Sequence, residues 1–381
     1  MKKIFFIILV VFIIANCNSN LNKYDKKKKE GYTIIENAIK KPKLKKLNLI
    51  SKKKYKKNNL LYNWEINNLG NYFHYKKKGN KTFFIIRNKK HELIAQKRKI
   101  EGKGPGEVLW IASNLMNNNK IYYVDGYKQS VEIFNYKDRF KYIDTLLIND
   151  FQVYSGTTQF MKSSNSYYFA GVMPYLLVKL NENFKVVKKV KPKNKTRKEL
   201  TTYNLCRTDF DSEKNIYLVF TGKKNKLEIR KYNKNLELIW INKIFDSNNK
   251  KLSPEMFTYK GDDGGKHFQM GGSMNANAIE LYEGNLYLLR AAGGNKTYKK
   301  TDEKLIKNTY KIKDIKNPYI DVYDSQNGKF IYRISCDFLK TNLNYKMKII
   351  NDLFYFASQP NFDNKKLQKG SNQILKAKLN I

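Results

Sequence analysis

Three histidines, three cysteines and three tryptophans are all that 381 residues hold of these types, and the shortage excludes several chemistries. His74, His91 and His267 show neither His-x-His nor His-Glu-x-x-His spacing, so a metal centre built on imidazoles is not expected. Cys17, Cys206 and Cys336 form no Cys-x-x-Cys pair, which removes zinc ribbons and thioredoxin-type redox sites. There is no EF-hand spacing and no Gly-x-Ser-x-Gly elbow. No segment sustains a helical period. After the first residues, no apolar run approaches the roughly 20 residues that a membrane-spanning helix needs. No cofactor and no metal are expected.

Negative charge is also scarce, 33 Asp+Glu against 75 Lys+Arg, for a formal charge of +42. Such an excess raises the question of nucleic acid, because basic surfaces release counterions from phosphate backbones. The excess is mostly lysine, dispersed along the chain and accompanied by abundant Asn, Ile and Tyr. These residues have A/T-rich codons, so the charge is read as base composition, and nucleic acid is not an expected partner. Acidic surfaces, anionic lipid and polyanionic glycans would still be attracted in a salt-dependent way.

The chain opens Met1-Lys2-Lys3, runs apolar from Ile4 to Ala15, and continues Asn16-Cys17-Asn18. Two cations, about a dozen apolar residues and a processing site make an export signal. Ile14-Ala15-Asn16-Cys17 resembles the end of a bacterial lipoprotein signal. That resemblance implies cleavage before Cys17, lipid (palmitate-type) attachment to it, and a protein held in the cell envelope on the outer-membrane, periplasmic or surface side. Asn16 departs from the usual small residue. An ordinary signal peptide or an uncleaved anchor is the alternative. Residues 1–16 are thus the signal, and 17–58 a lysine-rich tether with a possible first strand at Tyr32–Ile39. Cys206 and Cys336 either pair or are small buried hydrophobes.

From residue 59 to 381 a pattern repeats. Turn-type residues precede short β-branched and aromatic runs, such as Phe83 to Ile86, Ile121 to Val124, Tyr167 to Ala170, Ile216 to Phe220, Leu286 to Leu289 and Leu353 to Phe356. Each run is followed by one or two further period-two pieces, with polar turns between them. A unit of about 40 residues and several strands, repeated about six times, marks a β-propeller. The predicted fold is all-β, a six-bladed β-propeller of antiparallel four-stranded blades, acting as a monomer. A β-sandwich pair would account for the strands but not for the repeat. Residues 246–275 and 291–316 read as long insertions.

Gly102-Lys103-Gly104-Pro105-Gly106-Glu107-Val108, followed by Ile121 to Asp125 and Val131 to Phe134, resembles the six-bladed propeller lipoproteins of Bacteroidetes, relatives of NHL-repeat propellers. Those carry G-x-G-P-G-E-F between blades; Val108 stands in place of the Phe. The resemblance implies a binding or scaffolding protein. In physical terms Gly102, Gly104 and Gly106 permit positive φ and Pro105 fixes its own, so the segment reads as an inter-blade turn rather than a phosphate cradle.

Candidates for binding are few. Trp110 lies just past this turn and could stack on a sugar ring. Asp125 is a turn cap or a ligand contact. Asp262, Asp263 and His267 occupy a Gly-rich stretch, Gly261 to His267, that could hold a cation or move a proton. The expected function is binding of a glycan, a peptide or a partner protein by a membrane-tethered propeller, with no catalytic residue evident. The alternative is a propeller-type lyase, lactonase or sugar dehydrogenase, which needs His, Asp or Glu clustered at the inner strand ends around a central channel, where Asp125, Asp209 and Asp211 could converge.

Overall fold

The structure is a computed structural model. It describes residues 23–29, 31–55, 59–154, 158–163, 165–192, 207–221, 226–246, 255–260, 266–271, 278–290, 296–301, 304–309, 318–339, 344–359 and 373–379. Among these there is no helix.

The chain begins with β1 (Lys23–Lys29), β2 (Tyr32–Ile39) and β3 (Leu44–Lys54), three strands in a stretch where the sequence suggests one strand behind a solvated tether. The lysines fit because β1 and most of β3 carry them on exposed positions. Four-stranded antiparallel meanders follow. The first is β4 (Asn59–Ile66), β5 (Tyr72–Lys78), β6 (Lys81–Arg87) and β7 (Leu93–Arg98). The second is β8 (Ile111–Asn117), β9 (Lys120–Asp125), β10 (Ser130–Asn135) and β11 (Lys141–Leu147). The third is β12 (Gln159–Ser163), β13 (Ser166–Ala170), β14 (Leu177–Asn181) and β15 (Val186–Val190). Next come β16 (Arg207–Phe210), β17 (Ile216–Thr221), β18 (Lys226–Tyr232) and β19 (Leu238–Asp246).

Hairpins occupy the two stretches read as insertions, β20 (Glu255–Lys260) with β21 (Lys266–Gly271), and β24 (Lys296–Thr301) with β25 (Lys304–Thr309). Between and after them run β22 (Ala278–Tyr282), β23 (Asn285–Arg290), β26 (Tyr319–Asp324) and β27 (Phe330–Ser335), paired in that order. The chain closes with β28 (Asn344–Ile350), β29 (Leu353–Gln359) and β30 (Gln373–Leu379).

β3 supplies the fourth strand of this last sheet, antiparallel to β30 from Leu47↔Leu379 to Lys54↔Gln373. Its first residues also lie parallel to β27, Arg333↔Leu44. β2 lies parallel along β19, from Trp240↔Thr33 to Asp246↔Ile39, with β1 outside it. The sheets that receive the N-terminal strands are therefore mixed rather than purely antiparallel. The first strands of successive sheets are neighbours: β4 lies beside β8, β8 beside β12, β12 beside β16, β16 beside β22, and β22 beside β28, while β29 returns to β4. The arrangement is propeller-like.

The repeat has a local chemical basis. Asn88, Asn135, Asn181, Asn233 and Asp324 each follow the third strand of a sheet or end it, and each side-chain oxygen accepts backbone N–H groups of the next turn. In each of the same five sheets the third and fourth strands shift register once, as at Ile133/Phe134 and Lys231/Tyr232. Aromatic side chains fill the space between facing sheets. Phe73, Phe84, Tyr123, Phe134 and Phe140 meet between the first and second, with Phe84 and Tyr123 stacked at 4.6 Å between centroids. Each such ring pair contributes about 0.5–1.5 kcal/mol beyond the area it buries.

Candidate functional site

The Gly102–Val108 segment is a closed turn. Glu107 folds back so that its Oε2 accepts from the Gly104 N–H at 2.7 Å, while the Glu107 N–H donates to the Gly104 carbonyl at 3.1 Å. Only Gly106 has positive φ, +71°. Gly102 is needed for a different reason than backbone freedom: a Cβ there would lie 2.0 Å from Glu107 Oε2. Val108 is buried in the aromatic core between the first two sheets. The turn is tied to the sheet by Lys128, whose Nζ donates to the carbonyls of Gly104 and Glu107, both at 3.0 Å, and to Glu132 Oε1 at 2.6 Å. Glu132 is wholly buried and also accepts from the Gly106 N–H, Ser130 Oγ and Thr145 Oγ1.

Asp125, at the end of β9, is consumed by the backbone. Its Oδ2 accepts from the N–H groups of Leu109 (2.6 Å) and Trp110 (3.3 Å), and its Oδ1 from those of Tyr127 (2.9 Å) and Lys128 (3.0 Å). One carboxylate therefore fixes two backbone stretches that each carry an exposed aromatic ring. Trp110 is 60% exposed and Tyr127 66%. A direct bond from the Gly126 N–H to the Trp110 carbonyl, 2.8 Å, holds the stretches together, and Lys103 Nζ stands 5.7 Å over the Tyr127 ring. Tyr127 carries no sequence signal beyond its position two residues after Asp125. The other two tryptophans are core residues, Trp64 and Trp240 both buried.

A second constellation joins the first strands of four sheets. Glu65 comes from β4, Asp209 from β16, Glu280 from β22, and Lys348 from β28. Lys348 Nζ bonds Glu280 Oε2 at 2.9 Å. Asp209 Oδ2 accepts from the Leu281 N–H at 2.7 Å, which ties β16 to β22. Burial pushes the Glu280 carboxyl up to about 8, with repulsion from Asp209 and Glu65 adding to it and Lys348 opposing it. Burial likewise raises Asp209 and Glu65 above the usual carboxylate range, and Lys348 opposes this in both. Lys348 is itself raised, burial notwithstanding, by Glu280 and then Asp209. Three carboxyls raised by burial thus act on one lysine, and burial favours the neutral form of each. Of the three carboxylates named from sequence as able to converge, only Asp209 takes part. Asp125 lies in the turn described above, and Asp211 is held by the Asn215 N–H and Tyr217 Oη, both at 2.9 Å.

Cys17, Asp262 and Asp263 lie outside the described residues, as does Cys206. His267 falls in β21, of which only the backbone is described. Cys336 is a buried free thiol, raised by burial. His74 Nδ1–H donates to the Tyr75 carbonyl (3.1 Å) and its Nε2 accepts from the Arg87 Nε–H at 3.3 Å; Tyr72 Oη meets His91 Nδ1 at 2.7 Å. Among the described residues no group of three or more His, Cys, Asp or Glu side chains is placed to hold a metal ion.

No family model matches the chain, and no curated protein matches it. Solved structures resemble it at low identity. A Bacteroides fragilis protein named as exported shares 14% identity, with 91% of this chain and 99% of that one covered and a TM-score of 0.47. A Bacteroides caccae protein of unknown function shares 10% over 80% and 89%, TM-score 0.41. Myxococcus xanthus glutaminyl cyclase shares 8% over 89% and 99%, TM-score 0.38.

Proposed function

We propose that this chain is an exported lipoprotein, anchored through Cys17 in the cell envelope, whose sheets form a six-bladed propeller that binds a glycan at Trp110 and Tyr127. The cyclic order of the first strands supports the ring, with β3 completing the blade of β28, β29 and β30. The export signal and Cys17 support the anchor.

The observation that carries the binding role is the pair of exposed rings whose backbones are fixed by one carboxylate. Sugar rings present apolar C–H faces that pack on aromatic rings, and a platform already rigid in the free protein loses little entropy on binding. Glycan-array binding followed by titration tests it. Trp110→Ala and Tyr127→Ala should each weaken the leading glycan about tenfold or more, the loss of roughly 1.4 kcal/mol. An unchanged affinity in both variants would sink the assignment. Metabolic lipid labelling of wild type against Cys17→Ala tests the anchor separately.

A second reading is a propeller-type enzyme, and the Glu65–Asp209–Glu280–Lys348 set favours it. The Glu280 carboxyl, pushed by burial to about 8, is suited to proton transfer near neutral pH beside the lysine it bonds. Turnover of any array-positive sugar that is lost in Glu280→Gln, with binding retained, would establish it.

A further inference from the structure

The chain covers the outer edges of three sheets with its own N-terminal strands: β2 on β19, and β3 against both β27 and β30. The outer edges formed by β7, β11 and β15 receive no strand among the described residues. Between β11 and β15 lies a groove of about 760 Å³. Its apolar wall includes Leu147, 62% exposed, and Val187, 58% exposed. Lys185, Lys188 and Lys189 line it against a single acidic residue, Asp150, which pairs with Lys189 at 3.5 Å.

We infer that this groove is a docking site for an acidic, extended segment of a partner protein, which adds as a strand to the open edge of β15. Three features define the occupant. Among the described residues no strand pairs with the outer edge of β15, and an extended chain would satisfy its backbone groups by main-chain hydrogen bonds. Alternate side chains of an added strand point to one face, where Leu147 and Val187 give apolar contact. The lysines require carboxylates on the other positions, and Lys188 and Lys185 are solvent-facing and available for them. Strand addition at outer edges is already the way this molecule seals β19 and β27. The site is separate from Trp110 and Tyr127 and does not depend on the glycan reading.

The test uses the full mature chain and a labelled peptide of alternating Glu and Val about ten residues long, the upper length of an ordinary strand. Fluorescence anisotropy should show saturable binding that weakens as salt rises. The combined variant Lys185→Glu, Lys188→Glu, Lys189→Glu should bind at least about tenfold more weakly, with its thermal midpoint checked against wild type. The same peptide N-methylated at alternate residues should lose binding to a similar degree, which needs no protein variant. Equal binding by the methylated peptide, equal binding by the charge-reversed protein, or no saturable binding would each overturn the inference. So would preferential, lysine-dependent binding to phosphatidylglycerol vesicles, or self-association through this edge in sedimentation.

Discussion

Lys348 reaches from β28 to Glu280 on β22, and the 2.9 Å contact links the first strands of two adjacent sheets. The pair makes stability depend on pH in a defined direction. The Glu280 carboxyl moves from an ordinary 4.5 to about 8 on folding. Between those values the folded chain binds more protons than the unfolded one, so this group's contribution to stability falls as pH rises. Denaturant melts across the window should show wild type losing stability relative to Glu280→Gln, with a limiting slope of about 1.4 kcal/mol per pH unit for one proton. Parallel curves would contradict it.

His74 runs the other way. Burial lowers it from 6.5 to about 4, with a bond to Tyr75 opposing and Arg87 reinforcing the shift. The unfolded chain takes up the proton first, so stability from this group is complete above 6.5 and is lost as pH falls toward 4. His74→Phe should flatten the acid limb of the stability profile, and proton-detected titration of the imidazole should show no protonation at pH 6.

The Gly102–Glu107 contact predicts strong coupling. Gly102→Ala should cost about 2 kcal/mol, because Glu107 must swing away and release its charged bond to the Gly104 N–H. In a Glu107→Ala background the same change should cost much less. Equilibrium unfolding of the four proteins measures the coupling, and additive effects would refute the contact.

Asn37 holds the N-terminal hairpin on the sheets. Buried, it donates to Asn242 Oδ1 (2.8 Å) and the Gly328 carbonyl (2.9 Å) and accepts from the Phe330 N–H (3.2 Å). Asn37→Ala should destabilise by about 3 kcal/mol, since buried partners are left unsatisfied. A change under about 0.5 kcal/mol, the scale of a surface substitution, would show that the hairpin is loosely held.

The fold was legible where strands are buried on both faces. Tyr122 to Val124, Phe169 and Ala170, and Tyr217 to Phe220 are second strands, sandwiched between neighbouring sheets, and so read as unbroken apolar runs. The first strands were missed. Arg-Thr-Asp-Phe in β16, Ala-Ile-Glu-Leu-Tyr in β22 and Asn-Tyr-Lys-Met-Lys-Ile-Ile in β28 carry a charge among their apolar residues, so they lack the unbroken apolar run that marks the second strands. Those interrupting charges are Asp209, Glu280 and Lys348. Of this charged set Asp209 alone is named from sequence; Glu65, Glu280 and Lys348 are far from it along the chain and meet it only through sheet packing. Tyr127 went unseen because exposure, not residue type, distinguishes it from the other tyrosines.

β3 and β30 form their ladder from opposite ends of the chain, with Leu47 facing Leu379. Leu47 is made more than three hundred residues before Leu379, so β3 must wait for β28, β29 and β30 before its sheet is complete, and long-range pairing of this kind is slow. Deleting the seven residues Gln373–Leu379 would leave β3 without its antiparallel neighbour and the core residues Ile374, Leu375 and Ala377 missing, so the cost would reach the sheet at its first strand as well as its last.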